Sequence, residues 1–246
     1  MNLKNKNILV TGAGKGIGFV TVNTLIKDGA FVYAIVKDKK DNKKFKDYRN
    51  LLVFNGRVEN VNLLQKILKS SKKIKKPIHG LVNNAGIRFR KKFTEIKKKE
   101  IQNVFDVNFF SAFFLMQTLS KYFIKNKIKG SIINIASIVG RIGFSELSAY
   151  ASSKGALTAL TQSFAVEMSR YGIKTNTISP GFIKTSYYKK FKNKKRNIYN
   201  WTLSRIPMKR WGEPDEISNL VSYLLSDKST YINGENINID GGWLNS

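Results

Sequence analysis

The chain has 246 residues, of which 42% are hydrophobic, and it contains no cysteine. This length suffices for one well-buried α/β domain, whereas the lack of cysteine excludes a disulfide framework and thiol catalysis. A formal net charge of +28 is of the kind found in proteins that bind polyanions. The lysines recur along most of the chain, however, while residues 212–246 carry six acids and one lysine. We therefore interpret the charge as a solvated surface and do not expect nucleic acid as a partner.

Neither a secretion signal nor a membrane anchor is expected. The first six residues lead directly into an apolar segment, which leaves no room for a signal peptide. No apolar run approaches the ~18 residues that a membrane span requires. The sequence thus predicts a cytoplasmic protein with no membrane contact.

Short apolar segments rich in β-branched residues alternate with longer helical segments. The predicted strands are 7–11, 31–36, 51–54, 79–83, 131–136, 173–178 and 236–239. The helical segments between them include 101–125 and 148–171. Such alternation predicts a parallel sheet that is covered by helices on both faces. No repeat or Pro/Gly linker interrupts it, so we expect a single domain over 1–246.

Glycines crowd the turn that follows the first strand. The sequence from Thr11 to Gly18 reads Thr-Gly-Ala-Gly-Lys-Gly-Ile-Gly, and a helical stretch follows. Glycines at such a turn let the backbone approach a diphosphate, whose charge the amides at the helix N-terminus stabilise. The Gly-x-x-x-Gly-x-Gly spacing departs from the longer dinucleotide fingerprint, yet its place after the first strand predicts a nucleotide site.

A tyrosine and a lysine are spaced to act together. Tyr150 and Lys154 are four residues apart in a predicted helix and therefore share one face. A cation held near a phenolate lowers the pKa of the phenol, so that the tyrosine can exchange a proton with a substrate oxygen. Ser137 follows an apolar strand and presents its hydroxyl at the strand's carboxyl end, where open α/β sheets bind ligands.

Six motifs follow one another over nearly the whole chain. They are the glycine turn at 12–18, the Asn-Asn-Ala-Gly segment at 83–86, Asn108, Ser137, the Tyr150/Lys154 pair and the Pro-Gly pair at 180–181. Their order and spacing resemble the short-chain dehydrogenase/reductase family. The resemblance implies a Rossmann-type, doubly wound sheet of seven parallel strands and hydride transfer between a nicotinamide and a ketone or secondary alcohol.

The resemblance also implies the role of each site residue. Tyr150 would be the catalytic acid/base, Lys154 would lower its pKa and hold the nicotinamide ribose, Ser137 would bind the substrate oxygen, and Asn108 would support a proton-relay water. The cofactor would be bound by Gly12, Lys15, Gly16, Ile17, Gly18, Lys37, Asn55, Asn83, Ala85, Gly86, Tyr150, Lys154, Pro180, Gly181, Ile183 and Thr185. No metal site is expected, because the chain has one histidine and no cysteine.

The end of the second strand bears on the choice of cofactor. An acidic residue there would bind a ribose 2′-hydroxyl, whereas a basic residue accommodates a 2′-phosphate. The sequence has Val36 at the position of the acid, followed by Lys37, and Lys15 lies in the glycine turn. NADP(H) is therefore favoured over NAD(H), although Asp38 is close by. Asn55 stands where the family usually has an aspartate that contacts the adenine.

Substrate contacts are expected in a lid at about 185–206, in which aromatic residues alternate with lysines. The candidate substrate residues are Arg88, Arg90, Arg141 and Tyr187. The positive charge of the arginines and of the lid lysines favours an anionic sugar or sugar acid as substrate. The 3-oxoacyl carrier-protein reductases are an alternative. Their carrier-docking arginines would fall at about positions 131 and 171, where this sequence has Ser131 and Tyr171 instead. A non-catalytic nucleotide-binding protein and a basic nucleic-acid-binding protein are alternatives of other classes.

The segment 104–116 carries more apolar surface than one helix face can bury against a sheet. The resemblance implies pairing of subunits through this helix, through the helix that bears Tyr150 and through the last strand. We therefore expect a homo-oligomer, specifically a homotetramer.

Overall fold

A computed structural model describes the backbone of residues 1–246 and every side chain except those of Tyr187, Lys189, Lys190 and Lys194. Tyr187, a candidate substrate residue, thus lies outside the described side chains.

Seven strands form one parallel sheet. The strands are β1 Asn7–Val10, β2 Phe31–Val36, β3 Leu51–Asn55, β4 Gly80–Asn83, β5 Ser131–Ile135, β6 Lys174–Pro180 and β7 Asn236–Ile239. Their order in the sheet is β3-β2-β1-β4-β5-β6-β7, and every pair of neighbours is parallel. The chain reverses its direction of winding between β1 and β4, which is where sheets of this kind form a crevice at their carboxyl edge. The predicted doubly wound Rossmann-type sheet is confirmed.

Helices cover both faces of the sheet. They are α1 Gly16–Lys27, α2 Val61–Lys73, α3 Lys98–Phe105, α4 Ser111–Lys125, α5 Ser148–Met168, α6 Ser186–Lys194, α7 Arg196–Arg205 and α8 Pro214–Leu225. One apolar core lies between the sheet and α1 and α8. A second core lies on the opposite face against α2 and α4. Among the described residues, no helix has both the length and the apolar character needed to cross a bilayer.

The predicted helix over 101–125 differs from the structure in one instructive way. It begins earlier, at Lys98, and a π-helical turn at Asp106–Phe110 separates α3 from α4. An apolar run carries no signal for such a turn, because the hydrophobic residues continue through it. A π-turn shifts the register of the helix face and is frequent at functional sites. Here it contains Asn108, whose side chain is buried.

The expected lid corresponds to two helices, α6 and α7, joined at Lys195. They pack on a third apolar cluster, separate from the two sheet cores, that contains Ile206, Trp211 and Trp243. The indole Nε1 of Trp211 donates a hydrogen bond to Thr202 Oγ1 over 2.7 Å. These contacts fasten the carboxyl-terminal half of the lid segment to the body of the protein.

Candidate active site

The glycine turn has the backbone conformation that its sequence predicts. Gly12 and Gly16 have φ values of +64° and +56°, a region that favours glycine over other residues. A Cβ on Gly12 would lie 2.8 Å from Ala85 Cα, and a Cβ on Gly18 would collide with the carbonyl oxygen of Gly12. The turn therefore requires glycine at positions 12 and 18, and it packs directly against the loop that follows β4.

Asn84 and Thr11 join the glycine turn to that loop. The Asn84 side-chain amide donates to the carbonyl oxygens of Thr11 and Gly12 over 3.0 and 3.1 Å. Thr11 Oγ1 accepts from the backbone amides of Asn84 and Ala85, each over 3.0 Å. Asn83 instead points into the protein and donates to Asn134 Oδ1 over 2.8 Å. In the Asn-Asn-Ala-Gly segment, Asn84 rather than Asn83 thus shapes the glycine turn through its side chain.

The start of α1 fits a diphosphate. The N-cap residue Lys15 forms no side-chain capping bond, and the first turn contains no acidic residue. The first amides of a helix lack partners within the helix and carry a partial positive charge, so they attract an anion. Ile17 lies in this first turn and packs against the core. Across the crevice, a Cβ on Gly16 would lie 3.4 Å from Thr185 Cγ2.

The segment that carries Thr185 is held by backbone hydrogen bonds. Gly181 N donates to Ile239 O over 2.8 Å, which fixes the chain directly after Pro180 to the last strand. Ile183 forms an isolated bridge with Gly212. Gly181 and Ile183, which are predicted to bind the cofactor, are thus anchored to the last strand and to Gly212.

Lys154 is the most unusual ionisable group of the site. Its side chain is buried, with only 4% of the residue exposed, and Nζ donates to Ile135 O over 2.7 Å. Burial lowers the pKa of the Lys154 amine from 10.5 to about 8, because the charged form loses its hydration. Among the described residues, no carboxylate forms an ion pair with it. Lys154 and Tyr150 are on α5 at positions i+4 and i, so they share one face.

Asn108 connects three elements of the site. Its Nδ2 donates to Ile87 O and to Ser153 Oγ, each over 3.0 Å, while its Oδ1 accepts from Ile87 N over 2.8 Å. A Cβ on Gly86 would lie 3.3 Å from Asn108 Oδ1 and 3.5 Å from Lys154 Nζ. Asn108, Lys154 and Gly86 are therefore immediate neighbours, although they are far apart in sequence.

Ser137 lies two residues after the end of β5. It caps a 3-10 turn at Ile138–Gly140, and its Oγ accepts from Val139 N over 3.2 Å. A Cβ on Gly140 would lie 2.9 Å from Gly155 N and 3.0 Å from the carbonyl carbon of Lys154. The turn after Ser137 thus packs tightly on the part of α5 that carries Tyr150 and Lys154.

The adenosine side contains a feature that sequence reasoning missed. Lys37 and Lys15 are both exposed, and Asn55 forms a reciprocal amide pair with Asn42. Asn42 Nδ2 donates to Asn55 Oδ1 over 2.7 Å, and Asn55 Nδ2 donates to Asn42 Oδ1 over 3.0 Å. Asn42 lies in a 3-10 segment at Lys39–Phe45, where the predominance of lysine obscured any signal.

The same 3-10 segment is fastened to the glycine turn. Lys44 Nζ donates to Gly14 O over 2.6 Å and to Asp41 Oδ1 over 2.7 Å. Asp41 occupies the space that a side chain on Gly14 would need. An acidic and a basic residue thus lie together at the edge of the predicted adenosine site.

A cavity of about 660 Å³ lies beside the lid and the segment that precedes α5, and none of Asn108, Ser137, Tyr150 and Lys154 lines it. Its lining comes from the segment after Gly86, the segment before α5, Phe182, the lid and residues 243–246. Most of the lining residues are apolar or aromatic. The lining consists of Arg88, Arg90, Ile142, Gly143, Phe144, Ser145, Leu147, Phe182, Phe191, Ile198, Trp201, Arg205, Trp243, Leu244 and Ser246. Arg88 and Arg90 were expected there, and Arg205 was not. Arg141 is exposed at the end of the turn after Ser137 and is not among the lining residues.

Fold and site together define a nucleotide-dependent oxidoreductase with a Rossmann-type sheet, and the sequence relationships agree. A family model described as enoyl-(acyl carrier protein) reductase matches residues 12–244. The chain belongs to the short-chain dehydrogenase/reductase family, which confirms the resemblance seen in its motifs. It is an NAD(P)-dependent dehydrogenase or reductase that acts on CH-OH groups and their ketones.

Several relatives match along almost their whole length. The chain is 34% identical to 5-keto-D-gluconate 5-reductase from Escherichia coli, with 99% of this chain and 97% of the relative covered. It is 36% identical to 2-dehydro-3-deoxy-D-gluconate 5-dehydrogenase from Bacillus subtilis, with 99% and 96% covered. It is 33% identical to a 3-oxoacyl-(acyl-carrier-protein) reductase from Vibrio cholerae, with 98% of each covered.

Solved structures with this fold contain either nicotinamide cofactor. A putative gluconate dehydrogenase from Agrobacterium tumefaciens has a TM-score of 0.93 at 29% identity, with 100% of this chain and 98% of the other covered. A 4-hydroxyisoleucine dehydrogenase complexed with NADH has a TM-score of 0.91 at 31% identity, with 98% and 99% covered. ElxO with NADP bound has a TM-score of 0.90 at 30% identity, with 98% and 99% covered.

Proposed function

We propose that this protein interconverts a ketone and a secondary alcohol on a small anionic sugar or sugar acid, with NADP(H) as the favoured cofactor. The observation that carries the proposal is the buried Lys154 amine, which lies next to Asn108 and Gly86 and on the same helix face as Tyr150. A buried cation without a carboxylate partner is costly for the fold. Such a group is typical of an active site in which its charge is used.

The proton chemistry follows from the side chains. In the reducing direction the carbonyl oxygen becomes an alkoxide, and the Tyr150 hydroxyl donates the proton that converts it to an alcohol. The phenolate that remains is stabilised by the Lys154 ammonium. Ser137 donates a hydrogen bond to the same substrate oxygen. The nicotinamide, when bound, supplies the hydride.

The preference for NADP(H) rests on charge at the adenosine side. No acid occupies position 36, and the exposed Lys37 and Lys15 are available to a 2′-phosphate. Asp41 lies nearby, but Lys44 already neutralises it. NAD(H) lacks the 2′-phosphate and would leave these lysines without that partner, so we expect NAD(H) binding to be weaker.

The sugar-acid assignment is supported by two observations. Arginines line the cavity beside the site, and relatives with 34% and 36% identity are a 5-keto-D-gluconate reductase and a 2-dehydro-3-deoxy-D-gluconate dehydrogenase. Aromatic side chains such as Trp201 offer flat faces for the C–H groups of a sugar ring. The oxygen to be reduced would then face Tyr150, while the charged end of the substrate points to the arginines.

A 3-oxoacyl carrier-protein reductase is the second candidate, supported by the relative with 33% identity. Ser131 is buried and Tyr171 is not basic at the positions expected for docking arginines. The exposed Lys129 and Arg170 lie beside them, and a Cβ on Gly172 would lie 3.1 Å from Lys129 Cγ. These cations could serve an acidic carrier instead.

Steady-state reduction of 5-keto-D-gluconate and of an acetoacetyl thioester, each with NADPH and with NADH, distinguishes the two candidates. We expect turnover of the keto-gluconate and a kcat/KM at least tenfold lower for the thioester. Strong activity on the thioester with none on any sugar acid would contradict the proposal and favour the second candidate.

A further inference from the structure

One cavity-lining cation is unexplained by the motifs of the family resemblance. Arg205 is the last residue of α7, and it lines the cavity together with Ile198 and Trp201. These three residues are at positions i, i+3 and i+7 of the helix, so they form one face of it. That face borders the cavity, whereas Thr202 of the same helix is buried and bonded to Trp211.

The Arg205 guanidinium contacts the ring of Trp243. Its Cζ lies 5.9 Å from the centroid of the Trp243 ring, which is within the range of a cation–π contact. Trp243 is itself only 5% exposed. Its ring packs against those of Phe182 and Phe144 at centroid distances of 5.2 and 5.8 Å. The guanidinium of the exposed Arg205 therefore has a buried, well-packed aromatic ring as its neighbour at the cavity.

Arg205 differs from its neighbour Arg90 in its ion pairing. Among the described residues, no carboxylate lies within ion-pair distance of it. Arg90, on the same cavity, differs because its Nε binds Glu146 Oε2 over 2.7 Å. A basic residue in the last turn of a helix is favoured by the helix dipole, typically by about 0.3–1 kcal/mol. That effect explains a cation at position 205, but it does not require a guanidinium on the wall of a cavity.

We infer that Arg205 is a specificity-determining residue that binds the carboxylate of the substrate. A planar guanidinium offers two parallel N–H donors that match the two oxygens of a carboxylate. Arg205 is exposed, so its donors are accessible to a ligand in the cavity, while the Trp243 ring lies beside the guanidinium. The inference rests on the proposed function, because it assigns the charged end of the same substrate.

A binding experiment tests Arg205 without depending on turnover. Trp201 and Trp243 line the cavity, so the tryptophan fluorescence of the full chain can report ligands there. The probes are D-gluconate, sorbitol, in which a CH₂OH replaces the carboxylate, and glucose 6-phosphate. The variants are Arg205→Gln, Arg205→Lys and the control Arg196→Gln, which removes an exposed arginine at the start of the same helix.

We expect gluconate to bind the wild-type protein more tightly than sorbitol does. Arg205→Gln should weaken gluconate binding by about 10- to 100-fold, the effect of one charge-assisted pair, and should leave sorbitol binding unchanged. Arg205→Lys keeps the charge but not the two parallel N–H donors, so it should weaken gluconate binding to an intermediate degree. Arg196→Gln should bind gluconate as the wild type does. Thermal unfolding and NADPH binding of each variant verify that the fold is intact.

Three results would overturn the inference: wild-type protein that binds gluconate no better than sorbitol, equal gluconate binding by the wild type and Arg205→Gln, or preference for glucose 6-phosphate over gluconate. Failure of the proposed function looks different. In that case gluconate binds through Arg205, yet no keto-gluconate is reduced with either cofactor.

Discussion

Replacement of Lys154 by methionine tests how much the buried Lys154 amine costs in folding stability. A lysine pKa lowered from 10.5 to about 8 means that the folded state disfavours the ammonium form, by roughly 3 kcal/mol at neutral pH. Methionine removes this penalty and fills similar space. The change also leaves Ile135 O without its donor, and an unsatisfied buried acceptor costs about 1–3 kcal/mol. The two effects nearly cancel, so the variant should be as stable as the wild type or up to ~2 kcal/mol more stable.

The pH dependence gives the sharper measurement. The penalty is complete below about pH 8 and disappears as the pH rises toward the unfolded-state value of 10.5, because the folded protein then no longer has to bury a charge. Wild-type stability should therefore rise relative to Lys154→Met between pH 8 and 10. Thermal or urea unfolding of the cofactor-free protein over this range measures it, with Lys121→Met as the exposed control on α4. A variant less stable by more than ~2 kcal/mol at pH 7, with no change in the difference at higher pH, would refute the reasoning.

Three further results are expected. Tyr150→Phe should reduce turnover by ~10²- to 10⁴-fold, the usual cost of losing a general acid, with NADPH affinity within a few fold of wild type; retention of more than about a tenth of the rate would remove Tyr150 from its role. The wild type should bind NADPH at least about tenfold more tightly than NADH, since a charge-assisted contact contributes roughly 1.5–3 kcal/mol. Lys37→Asp should narrow or invert this preference. Equal dissociation constants of the wild type for the two cofactors would contradict the prediction. Light scattering at micromolar concentration should give a mass well above the 28 kDa of one chain. Phe114→Asp should lower that mass, because Phe114 is 48% exposed on α4 and a charge buried between subunits would oppose their pairing. A monomeric wild-type protein would contradict this prediction.

The sequence was most informative where the local backbone decides the structure. The predicted strand over 31–36 coincides with β2 because all six residues are buried and form one apolar run. Gly12 and Gly16 adopt the positive φ values that only a glycine turn explains easily. Tyr150 and Lys154 were predicted to share a helix face because their spacing is local, and both lie on α5. Each of these features depends on residues that are close together in the chain.

Contacts between distant segments were not predictable in the same way. Arg205 reaches the cavity because α7 packs beside Trp243, and no local pattern distinguishes it from the many other basic residues. Asn108 was identified through the family resemblance, but the π-turn that carries it lies inside a continuous apolar run. The hydrogen bonds from Asn108 to Ile87 and Ser153 follow from tertiary packing alone.

The Asn42–Asn55 pair allows a last prediction about how the adenosine half of the cofactor is held. The two hydrogen bonds orient the side chain of Asn55, so we expect Asn42 to act as a positioning residue for the predicted contact of Asn55 with the adenine. Asn42→Ala should therefore weaken NADPH and NADH by the same factor of about 2 to 10, since each hydrogen bond contributes roughly 0.5–1.5 kcal/mol. Lys37→Asp, by contrast, should alter the ratio between the two cofactors. Calorimetric titration of both cofactors, with Asn103→Ala as an exposed control on α3, separates the two effects. Tighter binding by Asn42→Ala would mean that Asn42 competes with the cofactor for Asn55, and a loss confined to one cofactor would place Asn42 at the ribose rather than behind Asn55.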